Sequence, residues 1–324
     1  MADVIARRPV LEPVLRTFEP LLEARDGLVS RLAEEIRTTG FHLPAFQRER
    51  AVSGVPLMAD MPVTGLAPAM RHAAEIMLPL LFAQQVVAPH AAALEEFFLR
   101  SVEEGKADAR ENLAEAMLNG STEAFAGIAD RSGIPPEVLA FAADFVVSPV
   151  LRALVWQGVS EEEDFPWEEE GVWREGYCPV CGTFPSIAWL DRPSLDEKNA
   201  YLSGGGGKKH LHCSLCGSNW KFRRGVCPSC GKEGDGVMEI LRESSGARGE
   251  RLDWCTQCKS YCPTVDLRER EGIPHMDAMA MGMMHLDMVA SHRKLRPLKP
   301  SFWNMFYNPL QYSCLENPMD RGAW

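Results

Sequence analysis

Four Cys-x-x-Cys pairs decide how this chain is read: Cys178-Pro-Val-Cys181, Cys213-Ser-Leu-Cys216, Cys227-Pro-Ser-Cys230 and Cys255-Thr-Gln-Cys258. The two-residue gap lets both sulfurs of a pair face one ion, while the intervening amides turn toward the thiolates and offset part of their charge. Proline after the first cysteine stiffens that turn. Glycine after the second (Gly182, Gly217, Gly231) permits the left-handed backbone needed to leave it, and the fourth pair departs by placing Lys259 there. Four pairs make two four-ligand tetrahedral sites. Pairing by chain order gives Cys178/Cys181/Cys213/Cys216 and Cys227/Cys230/Cys255/Cys258, with Cys262 left over as a ligand only in place of Cys255 or Cys258.

The first and third pairs both read Cys-Pro-x-Cys-Gly, so the segment is expected to be a tandem duplication of a rubredoxin-like or zinc-ribbon unit. Within the first unit, Ile187-Ala-Trp-Leu190 reads as a strand, Gly204 to Gly207 as a turn, and the residues before Cys213 as a return strand. A thiol-redox module would need one exposed pair in an alternating strand and helix pattern, which does not surround these pairs. Tetrahedral thiolate sites hold zinc or a single iron, and zinc is the general default. His210 and His212 abut Cys213, and with four cysteines at hand they are expected in hydrogen bonding or packing.

Outward from the cysteines the composition changes sharply. All ten cysteines lie at or after position 178, and nine fall between 178 and 262. Residues 1–160 read as an all-helical bundle. Leu21, Leu28, Val29, Leu32 and Ile36 share one face of a helix closed by Gly40, and further helical patterns run over 66–82, 91–102, 109–117, 122–129 and 136–155. Ser121 and Pro135-Pro136 mark helix starts. His42, His72 and His90 lie here, none in a metal-ligand pair. The apolar window Ile76–Leu94 contains Pro79, Gln84, Gln85, Pro89 and His90, which favours a buried helix or helix pair over a membrane span.

The remaining boundaries follow from composition. Residues 161–176 are read as an acidic linker, solvated or anchored on a partner through Phe165 and Trp167. The ribbons occupy 177–224 and 225–272. A C-terminal helix within 273–300 carries Met276, Met279, Met281, Met283, Met284 and Met288, chiefly as core filling. Residues 301–324 are expected to be irregular, with the last part outside the evolved fold. No secretory leader opens the chain, so a cytoplasmic location is expected. A net charge of -11 argues against nucleic-acid and anionic-membrane partners. The local cations Lys208, Lys209, Lys221, Arg223, Arg224 and Lys232 are read as neutralising the thiolate sites rather than as a nucleic-acid footprint.

In Tyr177-Cys-Pro-Val-Cys-Gly182, Leu211-His-Cys-Ser-Leu-Cys216, Val226-Cys-Pro-Ser-Cys230 and the helix from Met276-Asp-Ala-Met to Met288-Val-Ala, the chain resembles the bacterial formate dehydrogenase accessory protein family. The resemblance implies a helical domain followed by two rubredoxin-like ribbons with iron held by the eight paired cysteines. It also implies a non-enzymatic cytoplasmic maturation factor that contacts the catalytic subunit of a respiratory formate dehydrogenase. Beside it stand two rivals, a nucleic-acid-binding ribbon protein and a thiol oxidoreductase.

Overall fold

The computed structural model of the chain describes residues 1–100, 108–158, 165–169, 171–192, 207–242 and 247–307. Its first part is helical: α1 (Ala2–Arg7), α2 (Glu12–Thr38), α3 (Arg48–Val52), α4 (Ala67–Leu81), α5 (Ala91–Glu95), α6 (Ala109–Leu118), α7 (Thr122–Ser132) and α8 (Pro136–Gly158). The start and stop signals act as the sequence suggests. The Ser121 hydroxyl accepts from the Ala124 amide at 3.2 Å and caps α7, and Gly40 leaves α2 at φ +74°. The apolar window from Ile76 splits between α4 and α5, as a helix pair. A longer and more apolar helix is α8, long enough to cross a membrane but buried along most of its length. It is the bundle's central strut and packs mainly on α2 and α4.

The second part is one seven-stranded sheet with strands β1 (Ile187–Leu190), β2 (Lys209–His212), β3 (Asn219–Phe222), β4 (Met238–Leu241), β5 (Glu250–Cys255), β6 (Ser260–Asp266) and β7 (Arg296–Pro297). Its order is β3-β2-β1-β6-β5-β4, with β7 paired to β6 off that path. Both halves are antiparallel three-stranded ribbons with the same layout. One Cys-x-x-Cys pair precedes the first strand, and the next sits at the tip between the second and third strands. The duplication seen in the sequence is therefore structural. The two ribbons are not separate beads, because β1 and β6 pair in parallel through Ala188↔Thr264 and Leu190↔Asp266.

A second contact welds the ribbons near the metal-binding ends. A Cβ on Gly176 would lie 2.0 Å from Pro228 O and 2.4 Å from Pro228 Cα. The obstacle is backbone, which cannot rotate aside. Gly176→Ala is expected to cost about 1–3 kcal/mol of stability, read as a shift in urea midpoint, because one ribbon must move off the other.

Residues at the joins depart from the sequence reading. Trp167 is buried against the first ribbon: its indole N–H donates to Asn219 O at 3.1 Å, and Phe165 stacks on it at 4.9 Å between ring centroids. The described part of the acidic segment is thus anchored within the molecule, since an indole buries far more apolar surface than a solvated linker would expose; residues 161–164 and 170 lie outside the described residues. The C-terminal helix is broken into α9 (Met276–Gly282) and α10 (Met284–His292). Gly282 sits so close to α1 that a Cβ would meet Val4 Cγ2 at 2.8 Å, and the chain turns there. Met276, Met279, Met283 and Met284 fill the core between α1 and the second ribbon, while Met288 is exposed. Beyond Pro300, where no period marks a helix, α11 (Phe302–Tyr307) forms and Phe302 inserts between Phe18 and Phe141, at 5.0 and 4.7 Å. The tail from 308 lies outside the described residues.

Candidate metal centres

The eight paired cysteines gather into two groups of four, with all ligand atoms in each group within 4.8 Å of one another. The first group is Cys178, Cys181, Cys213 and Cys216; the second is Cys227, Cys230, Cys255 and Cys258. Sulfur separations are 3.5 Å (Cys178–Cys216) and 3.4 Å (Cys181–Cys213) in the first, and 3.6 Å (Cys227–Cys258) and 3.8 Å (Cys230–Cys255) in the second. A metal 2.3 Å from four tetrahedral sulfurs implies edges of about 3.8 Å, so both cages fit such an ion. None of the nine cysteines from Cys178 to Cys262 forms a disulfide.

Each knuckle closes with the same bond. The amide four residues after the first cysteine donates to that cysteine's carbonyl: Gly182 to Cys178, Gly217 to Cys213, Gly231 to Cys227 and Lys259 to Cys255, at 2.9 to 3.0 Å. The three glycines have φ of +78°, +77° and +67°, and Lys259 takes the same conformation at +61°. The fourth knuckle therefore keeps its geometry without glycine. A left-handed lysine carries about 1–2 kcal/mol of strain, and the Lys259 ammonium 5.2 Å over the Trp254 ring offsets part of it. Lys259→Gly is expected to stay within about 0.5 kcal/mol of wild type, whereas Lys259→Val, β-branched at positive φ, loses about 1–2 kcal/mol on chemical denaturation.

Burial of the first group decides its chemistry. Cys178, Cys181, Cys213 and Cys216 are at most 2% exposed. Burial pushes the Cys178 and Cys181 thiols well up, while hydrogen bonds from the neighbouring thiols and the nearby Lys299 ammonium hold Cys213 well down against its own burial. Four thiolates cannot share such a volume without a cation, and a divalent ion answers that need. Hydroxyls complete the donor shell. Thr183 Oγ1 lies 3.2 Å from Cys181 Sγ and 3.1 Å from Cys213 Sγ, and Ser218 Oγ lies 3.2 Å from Cys216 Sγ. Ser260 Oγ lies 2.9 Å from Cys258 Sγ in the second group. These three sit two residues after a knuckle's second cysteine, so a Cys-x-x-Cys-x-(Ser/Thr) pattern in the sequence marks them.

The cations that serve the first site are also not those nearest in sequence. Arg152 on α8 donates to Ser214 O at 2.6 Å, and Lys299 donates to Ser214 Oγ at 2.8 Å and to Asp144 at 3.0 Å. The sequence-local cluster is largely committed elsewhere: Lys209 is buried against Asp253 at 2.8 Å, Lys221 donates to Glu168 O at 3.1 Å, and Arg223 pairs with Glu233 at 3.0 Å. Lys208, Arg224 and Lys232 are exposed. The helical part further grips the first knuckle through the amides of Leu57 and Met58, which donate to Pro179 O and Val180 O, both at 2.8 Å.

The remaining candidates fall outside the cages. Cys262 is buried on β6, opposite Asp253, and burial pushes its thiol up to about 12. His210 stacks on Trp189 at 5.0 Å. His212 lies between Asn219 Oδ1 at 2.7 Å and Asp277 Oδ1 at 3.1 Å. Asp277 also accepts from Arg25 at 2.7 Å and Arg152 at 2.8 Å, so one carboxylate joins α2, α8, β2 and α9. Burial alone would raise its pKa, but Arg152, Arg25 and His212 hold it well below the usual carboxylate range. His72 pairs with Glu35 at 2.7 Å.

Comparison with known proteins follows the same lines. A crystal structure of the FdhE protein from Pseudomonas aeruginosa superposes with a TM-score of 0.51 at 22% identity, over 88% of this chain and 93% of that one. Curated proteins named FdhE homolog match from Edwardsiella ictaluri, 26% identical over 86% of this chain and 87% of that protein, and from Aquifex aeolicus, 26% identical over 53% and 54%. The chain is similar to the FdhE proteins. This bears out the family to which the cysteine motifs pointed. A Shewanella baltica FdhE homolog is 31% identical over 35% of this chain, and the matched stretches span only about half of the Aquifex protein and 33% of the Shewanella one. A scan against protein-family models finds no match.

Proposed function

We propose that this chain is a non-enzymatic accessory factor in the maturation of a respiratory formate dehydrogenase, acting in the cytoplasm on the enzyme's catalytic subunit. The observation that carries the reading is the likeness to FdhE proteins along most of the chain, in a fold that builds two four-cysteine groups into one sheet. Cys178, Cys181, Cys213 and Cys216 would hold one metal ion, and Cys227, Cys230, Cys255 and Cys258 a second. The ions are iron, as the family resemblance implies, or zinc, which the same donors accept. Either metal supplies a tetrahedral crosslink, and iron would add a one-electron couple.

The chain's own residues account for how the first site is set. Thr183 and Ser218 place hydroxyls on its sulfurs, Arg152 and Lys299 place positive charge beside it, and Leu57 and Met58 fix its first knuckle. The site thereby ties the first ribbon to the helical bundle, which leaves the combined surface rigid enough to hold a client.

Purification without oxygen, metal analysis and visible absorption should show two ions per chain. Immobilised wild-type protein is expected to capture the catalytic subunit of formate dehydrogenase, and Cys178→Ser to capture less of it. A folded, metal-loaded wild-type protein that captures no such subunit would end the reading. Salt-sensitive retardation of nucleic acid would favour the ribbon-type nucleic-acid rival instead.

A further inference from the structure

The two cysteine groups differ in how they are enclosed. All four sulfur-bearing residues of the first belong to the main hydrophobic core, together with α2, α4 and α8 residues. None of the second belongs to either hydrophobic cluster among the described residues. Cys230 and Cys258 are partly exposed. The strip that follows the third knuckle, Gly231-Lys-Glu-Gly-Asp-Gly236, is exposed throughout. The covering strand β4 is the sheet's edge and turns Glu239 and Ile240 to solvent, Ile240 at 56% exposure. The fourth knuckle is also the one that holds a left-handed lysine in place of glycine.

Metal exchange at a thiolate site begins when an incoming donor reaches the ion, so access governs the rate. At the first group the four cysteines are at most 2% exposed, and among the described residues α8, Leu57 and Met58, and the Ser214 contacts of Arg152 and Lys299 pack around them. Reaching it requires opening the core. At the second group a donor needs only the Cys230 and Cys258 side, with the β5–β6 core intact beneath, since Leu252, Tyr261 and Val265 pack against α1 and α10 residues without any of the four cysteines.

We infer that the Cys227/Cys230/Cys255/Cys258 group is an exchange site, open to soft donors such as thiols and chelators, while the first group is a closed structural lock. This rests on the reading that both groups bind metal. In the exchange, the incoming donors form bonds to the ion as the Cys–metal bonds break, and the freed thiolates take protons from solvent; nothing is oxidised or reduced. Site two can therefore gain, lose or hand over its ion while the helical bundle and first ribbon stay folded.

The test uses the full chain loaded with zinc, its content first confirmed as two ions per chain. Fewer than two would remove the metal reading and this inference together. Excess 4-(2-pyridylazo)resorcinol is then added with iodoacetamide, and release is followed by absorbance while labelled cysteines are mapped by peptide mass spectrometry. The expected result is two phases of one ion each, the first at least about tenfold faster because it needs no opening of the core. Cys227, Cys230, Cys255 and Cys258 should be labelled in the first phase. Cys178, Cys181, Cys213, Cys216 and the buried Cys262, which reports core opening, should be labelled only in the second. Cys230→Ser should lose the fast phase and retain one slowly released ion. A single phase with all eight thiols labelled together, or first labelling of the Cys178 group, would overturn the assignment while leaving two-metal binding intact.

Discussion

Asp277→Ala is expected to lower the stability of the whole chain by about 2–4 kcal/mol, because it leaves the buried Arg25 with Asp26 alone and takes the carboxylate from the partly buried Arg152. The carboxylate is 5% exposed and is the only group among the described contacts that touches Arg25 and Arg152 together. Losing it removes the buried bridge that links α2, α8, β2 and α9, leaving Asp26–His275 and Arg152–Ser214 to hold those joins. Asp277→Asn should lose less, since an amide oxygen still accepts a hydrogen bond. Urea midpoints from tryptophan fluorescence measure both. A loss under about 1 kcal/mol for the alanine variant would show that the bundle and ribbons are held by apolar packing alone.

Asp287 acts in the opposite sense. It is buried, accepts from the Tyr261 hydroxyl at 2.8 Å and the Ser301 hydroxyl at 3.4 Å, and is pushed up to about 7 by burial despite those bonds. An unfolded aspartate titrates near 3.9, so between about pH 4 and pH 7 the folded chain keeps a proton that the unfolded chain has released. The stabilisation from that proton is full below pH 4 and lost as pH rises through 7. Asp287→Asn keeps the shape without the titration. It is expected to match wild type near pH 4 and to exceed it at pH 8 by up to about 4 kcal/mol. Comparing variant with wild type at each pH cancels the effect of acid on the thiolate sites. Equal stability differences at both ends would mean that Asp287 is not held protonated.

How much of this was readable beforehand depended on how local the cause was. Helices such as α2 and α7 carry their period, cap and stop within their own residues: Leu21 to Ile36 on one face, Ser121 at one end, Gly40 at another. The cysteine cages were legible for a related reason. Each knuckle is a self-contained turn whose ligands name their own chemistry, and chain order supplied the pairing that the sulfur distances repeat.

What escaped was long-range. Arg152 and Lys299 lie 62 or more residues from the knuckle they serve, and no motif links them to it. The parallel pairing of β1 with β6 joins strands more than 70 residues apart, and apolar alternation says that a strand has a partner, not which one. The break at Gly282 was hidden because the Met-rich run keeps a helical period through it, and the close neighbour there is Val4, more than 270 residues away in the sequence.

That reach from end to end bears on how the molecule is made. Arg8 binds Glu250 at 2.7 Å, and Val4 shares a core with Leu252 and Leu286. Val4 and Arg8 therefore have no seat until residues 250 to 286 have been synthesised, although α2 to α8 can collapse meanwhile on their own contacts. During that interval α1 is an untethered amphipathic arm, and the face that will receive it does not yet exist. A tag or fusion joined to Met1 would sit beside a closure that waits for residues 250 to 286.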